Sequence, residues 1–161
     1  MKHVVFIRHA KSSWADFSLK DFDRPLDQKG LHDAPLMAQS LKNKLSKLDL
    51  IISSPAKRTT QTANFFSEAL GTEIIFKSNL YHGDPYEYIE AIGELDENIS
   101  NVALVGHNPA MTEIANMVSK KFIADLPTCS IVITRHSQPW SKIQFSDLNL
   151  EEIITPKELN Y

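Results

Sequence analysis

Arg8 and His9 stand side by side at the end of an apolar run, Val4-Val5-Phe6-Ile7, and their types suit one kind of chemistry. A guanidinium offers phosphate oxygens a planar, permanently charged fork, and an imidazole with a pKa of about 6.5 is substantially neutral and nucleophilic at pH 7. Two later segments repeat the pattern. Leu50-Ile51-Ile52-Ser53-Ser54 leads to Arg58, and Val102-Ala103-Leu104-Val105-Gly106 leads to His107-Asn108-Pro109. If the three runs are neighbouring parallel strands, their carboxyl ends open the crevice in which α/β sheets bind ligands. Two arginines and two histidines then converge on a site for a dianionic phosphoryl group. His9 is the candidate nucleophile, Arg8 and Arg58 the clamps, and a protonated His107 would add a further contact. Phosphoryl transfer depends mainly on positioning and charge stabilisation, so this set suffices without metal or cofactor.

The elements that must position these residues follow from periodicity and punctuation. Strand and helix signals alternate, as in a mainly parallel sheet with helices on both faces. A first strand spans residues 2–8, and the polar stretch from Lys11 to Pro25 is too long for an ordinary βα connection, which marks it as a candidate functional loop. Asp27 is the expected N-cap of a helix with apolar positions at Leu31, Ala34, Met37, Ala38, Leu41 and Leu45. A strand at 50–53 precedes a helix that Pro55 opens and Gly71 closes. A strand at 73–77, a loop from Tyr81 to Pro85, a short helix to about Ile92, a strand at 102–106 and a helix from Pro109 to about Val118 follow. Segments 130–134 and 143–146 read as an antiparallel edge hairpin. The expected fold is a three-layer α/β/α sandwich, one domain over residues 1–161, with 156–161 as a loose tail.

The chain has 161 residues, 42% hydrophobic and 23% charged, which suits one globular domain. No apolar run approaches the ~20 residues of a membrane span. No secretory pattern opens the sequence, so a cytoplasmic location is expected. Cys129 is the only cysteine, which excludes an internal disulfide. A net charge of −3 argues against nucleic acid as partner and makes any positive field local.

Arg8-His9, the segment from Ser53 to Ala63 and Gly106-His107-Asn108-Pro109 together resemble the histidine phosphatase superfamily, the phosphoglycerate mutase-like fold. The finer pattern of Arg8-His9-Ala10-Lys11-Ser12, Asp23-Arg24-Pro25-Leu26 with Gly30, and Leu126-Pro127-Thr128 is similar to its compact phosphohistidine phosphatase branch, the SixA type. The resemblance runs from residue 2 to about residue 147. It implies His9 as nucleophile, Arg8 and Arg58 as phosphate clamps and His107 as the second histidine of the pocket. Ser12, at the end of the first motif, is counted with the phosphate-binding groups. Ala10 stands where the mutases and many relatives place glycine.

The leaving group decides the substrate class. A phosphomonoester expels an alkoxide and calls for a general acid, whereas the imidazole of phosphohistidine can already carry a proton. The sequence offers no obvious pocket glutamate after the third strand. Asp84 is the nearest candidate acid, but Asp84-Pro85 reads more readily as a helix cap. No long insertion supplies a lid. Cys129 and Arg135 match the Cys-x5-Arg spacing of cysteine phosphatases, but the interval Ser-Ile-Val-Ile-Thr is a β-branched strand that cannot curl around phosphate. A metal site from His82, Asp84, His107 and His9 lacks a local ligand motif and faces two repelling arginines. His3, His32 and His136 are expected to be surface or structural. The expectation is therefore a cofactor-free hydrolase of phosphohistidine on a partner protein. The alternatives are a small-molecule phosphomonoesterase and a binding module without turnover.

Overall fold

The computed structural model describes residues 1–159. At its centre lies a six-stranded sheet of order β3-β2-β4-β1-β5-β6, made of β1 (Lys2–Arg8), β2 (Leu50–Ser53), β3 (Ile74–Phe76), β4 (Asn101–Gly106), β5 (Ile131–His136) and β6 (Asn149–Ile154). The first four strands are parallel, β5 is antiparallel to β1, and β6 is antiparallel to β5. A sheet covered on both faces needs strands that are apolar throughout. In β1, Val4 and Phe6 enter one core with Val102 and Leu104, while Val5 and Ile7 enter the other with Ala103 and Val105. Helices α3 (Pro85–Gly93) and α4 (Ala110–Val118) close the first core, and α1 (Gln28–Lys44) and α2 (Lys57–Leu70) close the second. The architecture is the expected three-layer α/β/α sandwich.

Local chemistry sets the boundaries. The Asp27 carboxylate accepts the Gly30 backbone N–H at the start of α1, which carries Pro35 in its interior. Gly30 is required because a Cβ there would lie 2.2 Å from the Lys11 carbonyl oxygen, so the helix start packs directly against the chain leaving the β1 tip. Helix α2 begins at Lys57, two residues later than expected, and stops at Gly71 in the left-handed conformation with φ 65°. Leu31, expected on the apolar face of α1, is exposed.

Two expectations need correction. The second strand of the edge hairpin is not 143–146 but β6 at Asn149–Ile154. The alternation at 143–146 arises because Ile143 and Phe145 pack against the first core from two short 3-10 turns, Trp140–Lys142 and Phe145–Asp147, the latter closed by the Gln144 N–H on the Asp147 carboxylate. The true edge strand carries Glu151 and Glu152, the charge that discourages edge-to-edge pairing and also masks a strand signal. The tail expected to be loose from 156 instead forms a helical turn, α5 (Pro156–Leu159), with Pro156 buried; positions 160–161 of that expectation lie outside the described residues. Among the described residues no helix is long and apolar enough to cross a membrane.

The strand order makes the site. Because β2, β4 and β1 are neighbours, the chain leaves their carboxyl ends at three adjacent points. After β1 and β2 it turns toward the α1/α2 face, and after β4 toward the α3/α4 face. The divergence leaves a crevice at the centre of the sheet.

Candidate active site

Arg8 and His9 end β1, Arg58 lies in the first turn of α2 after β2, and His107 follows β4, so all four reach the same crevice. They line a cavity of about 280 Å³ together with Ser12 and Arg24. The His9 and His107 rings stand 5.3 Å apart between centroids. Backbone hydrogen bonds fix the platform: His9 N–H donates to the Gly106 carbonyl at 3.0 Å, Cys129 N–H donates to the His9 carbonyl at 3.0 Å, and Ala10 N–H donates to Thr62 Oγ1 at 3.0 Å. Gly106 is required by Tyr88, whose hydroxyl would stand 2.0 Å from a Cβ there. That hydroxyl instead donates to the Leu80 carbonyl at 3.1 Å and accepts the His107 N–H at 3.3 Å.

One of the two ring tautomers follows from a hydrogen bond. His9 Nδ1 lies 2.7 Å from the Ala10 carbonyl oxygen, which can only accept, so Nδ1 carries the proton and Nε2 keeps its lone pair. His107 Nε2 lies 2.8 Å from Ser54 Oγ, which already accepts the Ala56 N–H at 3.4 Å. The Ser54 hydroxyl can donate to Nε2 or accept from it, so this contact fixes the position of the His107 ring and leaves Nδ1 facing no protein partner among the described residues. Burial, followed by the charges of Arg58, Arg8 and Arg24, pushes the His9 pKa down to about 3 against the pull of its bond to Ala10. Burial, then His9 and Arg58, pushes His107 to about 3 as well. Both rings are neutral at pH 7. The condition that His107 be protonated for a charge-assisted contact runs against this downward shift.

The arginines are held in place from behind. Arg8 donates to the Leu126 carbonyl at 2.7 Å and stands 3.7 Å from the Asp125 carboxylate. Arg58 donates through one terminal nitrogen to the Asp21 carbonyl at 2.7 Å and through the other to the Asp21 carboxylate at 3.0 Å. Among the described residues, the buried atoms Arg8 Nε, Arg58 Nε and His107 Nδ1 have no hydrogen-bond partner. Unpaired buried donors such as the two arginine Nε–H groups are costly, and the oxygens of an anion would satisfy them.

Three residues of this region escaped the sequence reading. Arg24 lines the cavity with its guanidinium bonded to Ser12 Oγ at 2.7 Å and to the Asp21 carboxylate at 3.1 Å. Asp21 joins Arg24, Arg58 and the Tyr81 hydroxyl, the last at 2.5 Å. Burial acts to raise the Asp21 pKa, but hydrogen bonds from Tyr81 and Arg58 outweigh it and hold the group well below the carboxylate range. The length of the loop from Lys11 to Pro25 was the available signal, and Arg24 lay inside a motif already noted. Ser12 orients Arg24 and lines the cavity.

Asp84 lies elsewhere. It caps α3, accepting the Tyr86 and Glu87 backbone N–H groups, and lines an adjoining cleft of about 210 Å³ with Tyr81, His82 and Glu113. Cys129 is buried with φ 60°, Arg135 is exposed on β5, and the residues between them run into that strand. His3 contacts Asn101 and Glu151 at the far end of the sheet, His32 is exposed, and His136 is buried against Trp140. Among the described residues no three His, Cys, Asp or Glu side chains gather as metal ligands.

Known proteins resemble this chain in sequence and fold. An uncharacterized protein of Mycobacterium tuberculosis is 27% identical over 148 residues, covering 86% of this chain and 92% of its own. An uncharacterized chloroplastic protein of Arabidopsis thaliana is 32% identical over 145 residues, 82% of this chain and 65% of its own. The crystal structure of the provisionally named phosphohistidine phosphatase SixA of Agrobacterium tumefaciens superposes with a TM-score of 0.82 at 27% identity, covering 96% of this chain and 98% of that one. A SixA structure with tungstate bound shares the fold at TM-score 0.83 and 19% identity, over 98% and 99% of the two chains. The family model of the histidine phosphatase superfamily (branch 1) matches residues 4–84, which include Arg8, His9 and Arg58, and the chain belongs to that superfamily.

Proposed function

We propose that this phosphatase hydrolyses phosphohistidine on a partner protein through a phosphohistidine intermediate at Nε2 of His9, acting as a single domain in the cytoplasm and without a cofactor. The observation that carries the reading is the composition of the cavity wall. Arg8, Lys11, Arg24 and Arg58 line it, and among the described residues no carboxylate does. The Nε2 lone pair of neutral His9 attacks phosphorus. The P–N bond to the substrate imidazole breaks, and the electron pair returns to that nitrogen. A leaving imidazole protonated on its other nitrogen departs neutral, so no enzyme acid is needed. The phosphorylated His9, with its Nδ1 proton on the Ala10 carbonyl, is likewise an N-phosphoimidazolium. Water displaces it, and phosphate leaves with His9 neutral again. Arg8, Arg58 and His107 hold the equatorial oxygens during both transfers. An alkyl phosphate lacks this route because its alkoxide needs a proton.

Turnover of a histidine-phosphorylated protein and of a panel of alkyl and aryl phosphomonoesters, with and without chelator, tests the reading. Phosphohistidine is expected to be hydrolysed far faster than any alkyl phosphate, with no effect of chelator. Alkyl phosphate turnover equal to that of phosphohistidine would favour the phosphomonoesterase reading, and no turnover of either would leave a binding module.

A further inference from the structure

Resting on the phosphohistidine reading, we infer that the loop from Lys11 to Pro25 is the docking surface for the protein that bears the phosphohistidine, with Trp14, Phe17, Leu19 and Phe22 as its apolar contacts. Phe17 is 91% exposed and Trp14 64%, and Leu19 and Phe22 are each 38% exposed. Large apolar side chains left in water within one short segment mark an interaction site.

The loop is built to hold them. Ser13 N–H donates to the Pro25 carbonyl at 2.8 Å, Asp16 binds the Ser18 N–H at 2.9 Å and its hydroxyl at 2.6 Å, and Asp23 N–H donates to the Lys20 carbonyl at 2.9 Å. The Arg24 guanidinium lies 3.6 Å from the Trp14 ring centroid, and Phe22 meets the Tyr81 ring edge-on at 5.1 Å. Asp21 ties both of these supports to Arg58. A surface ordered before binding loses less entropy on docking.

Continuity with the cavity and charge together identify the occupant. Trp14 belongs to the cavity wall, whose basic side chains call for a dianion, whereas Phe17, Leu19 and Phe22 do not reach that wall. A free phosphometabolite held in the cavity leaves those three untouched. A folded protein that presents phosphohistidine from an apolar surface covers them as the phosphoryl group enters. Aromatic anchors of this kind dominate the energy of small, transient interfaces of less than about 1,200 Å².

The test compares purified folded proteins, each carrying one phosphohistidine introduced by phosphoramidate treatment, with free phosphohistidine. The wild type should show a KM at least ~10-fold lower for one or more of the proteins than for the free amino acid. Phe17→Ser with Leu19→Ser should abolish that advantage, leaving kcat/KM on free phosphohistidine within about twofold. Leu36→Ser, at a comparably exposed site on α1 (40% against 38% for Leu19), should change neither. Hydrolysis of free phosphohistidine with no preference for any of the proteins, or a preference that survives the double substitution, overturns the docking surface while leaving the phosphohistidine reading intact. Failure to hydrolyse either substrate overturns the underlying reading instead. Sedimentation before and after the substitutions completes the test: a wild-type dimer that the double variant dissolves would make a second copy of this chain the occupant and overturn the inference.

Discussion

Two clefts meet at His107 and Asn108, and they differ in the group that decides leaving-group chemistry. The larger, about 280 Å³, gathers Arg8, Arg24, Arg58 and Lys11 around Nε2 of His9 and has no carboxylate in its wall among the described residues. The smaller, about 210 Å³, contains Asp84 and Glu113 and no arginine. The fold places carboxylates one cleft away, outside the wall of the basic cleft. Asp84 turns one carboxylate oxygen to the first turn of α3, where it accepts the Tyr86 and Glu87 N–H groups. Asp21, the carboxylate nearest the arginines, is engaged by Tyr81, Arg58 and Arg24 and held ionised, so it cannot donate a proton. The contrast teaches that the number of acids near a site matters less than which of them is free to protonate a leaving atom.

The most severe way to sharpen this contrast is to remove the nucleophile. His9→Ala should lower turnover by at least ~10⁴-fold, because nothing else in the basic cleft carries a free lone pair at the right place. Vanadate, followed by equilibrium titration, should still bind, since the arginines remain. Near-normal turnover would remove His9 from the mechanism.

Arg58→Ala should cost on the order of 10² in kcat/KM, the loss of one charge-assisted contact strengthened in the transition state. Arg58→Lys should recover part of that rate, because an ammonium restores the charge but not the fork that also reaches Asp21. Unchanged steady-state kinetics in Arg58→Ala would reduce the residue to a surface salt bridge.

The pH profile probes the electrostatics of the same cleft. With His9 depressed to about 3, the nucleophilic form of the free enzyme persists as pH falls through 6.5, so kcat/KM, corrected for substrate ionisation, should show no enzyme limb between pH 5 and 8. A bound dianion favours the imidazolium, so the acid limb of kcat should lie at higher pH than that of kcat/KM. The same shifts bear on stability. Both histidines bind protons more readily unfolded than folded, so stability should fall as pH drops from about 6.5 toward 3, and less so in His107→Ala, as urea melts across that range would show. An enzyme limb in kcat/KM at 6.5 would mean that His9 is solvated.

The smallest expected effect belongs to the acidic cleft. Asn caps helices as well as Asp, so Asp84→Asn removes the charge and leaves α3 intact. Phosphohistidine turnover should change by less than about threefold. A large loss in the folded variant would transfer the acid role to Asp84 and merge the two clefts into one mechanism.

Sequence alone went far toward the basic cleft because its members sit where strands end, and strand ends are marked by apolar runs and punctuation. Arg8, His9, Arg58 and His107 were legible for that reason, as were the α1 cap at Asp27 and the Gly71 stop. Arg24, Asp21 and Tyr81 were not, because they reach the site through a loop whose path has no periodic signal. The β6 edge strand was hidden by its own charge, and the alternation at 143–146 imitated a strand where two 3-10 turns bury Ile143 and part of Phe145. The neutrality of His107 also lay beyond the sequence, since it depends on burial beside His9 and Arg58.

The central claim is that His9, with Nδ1 committed to the Ala10 carbonyl, attacks from Nε2 inside a cleft that needs no acid. The most direct measurement is phosphorus NMR of the phosphoenzyme, trapped by rapid alkaline denaturation after mixing with phosphohistidine or phosphoramidate. The account predicts one acid-labile phosphohistidine, at His9 and bonded through Nε2, absent from His9→Ala and formed equally well by Asp84→Asn. A phosphoryl group on Nδ1, on His107 or on a carboxylate would contradict it.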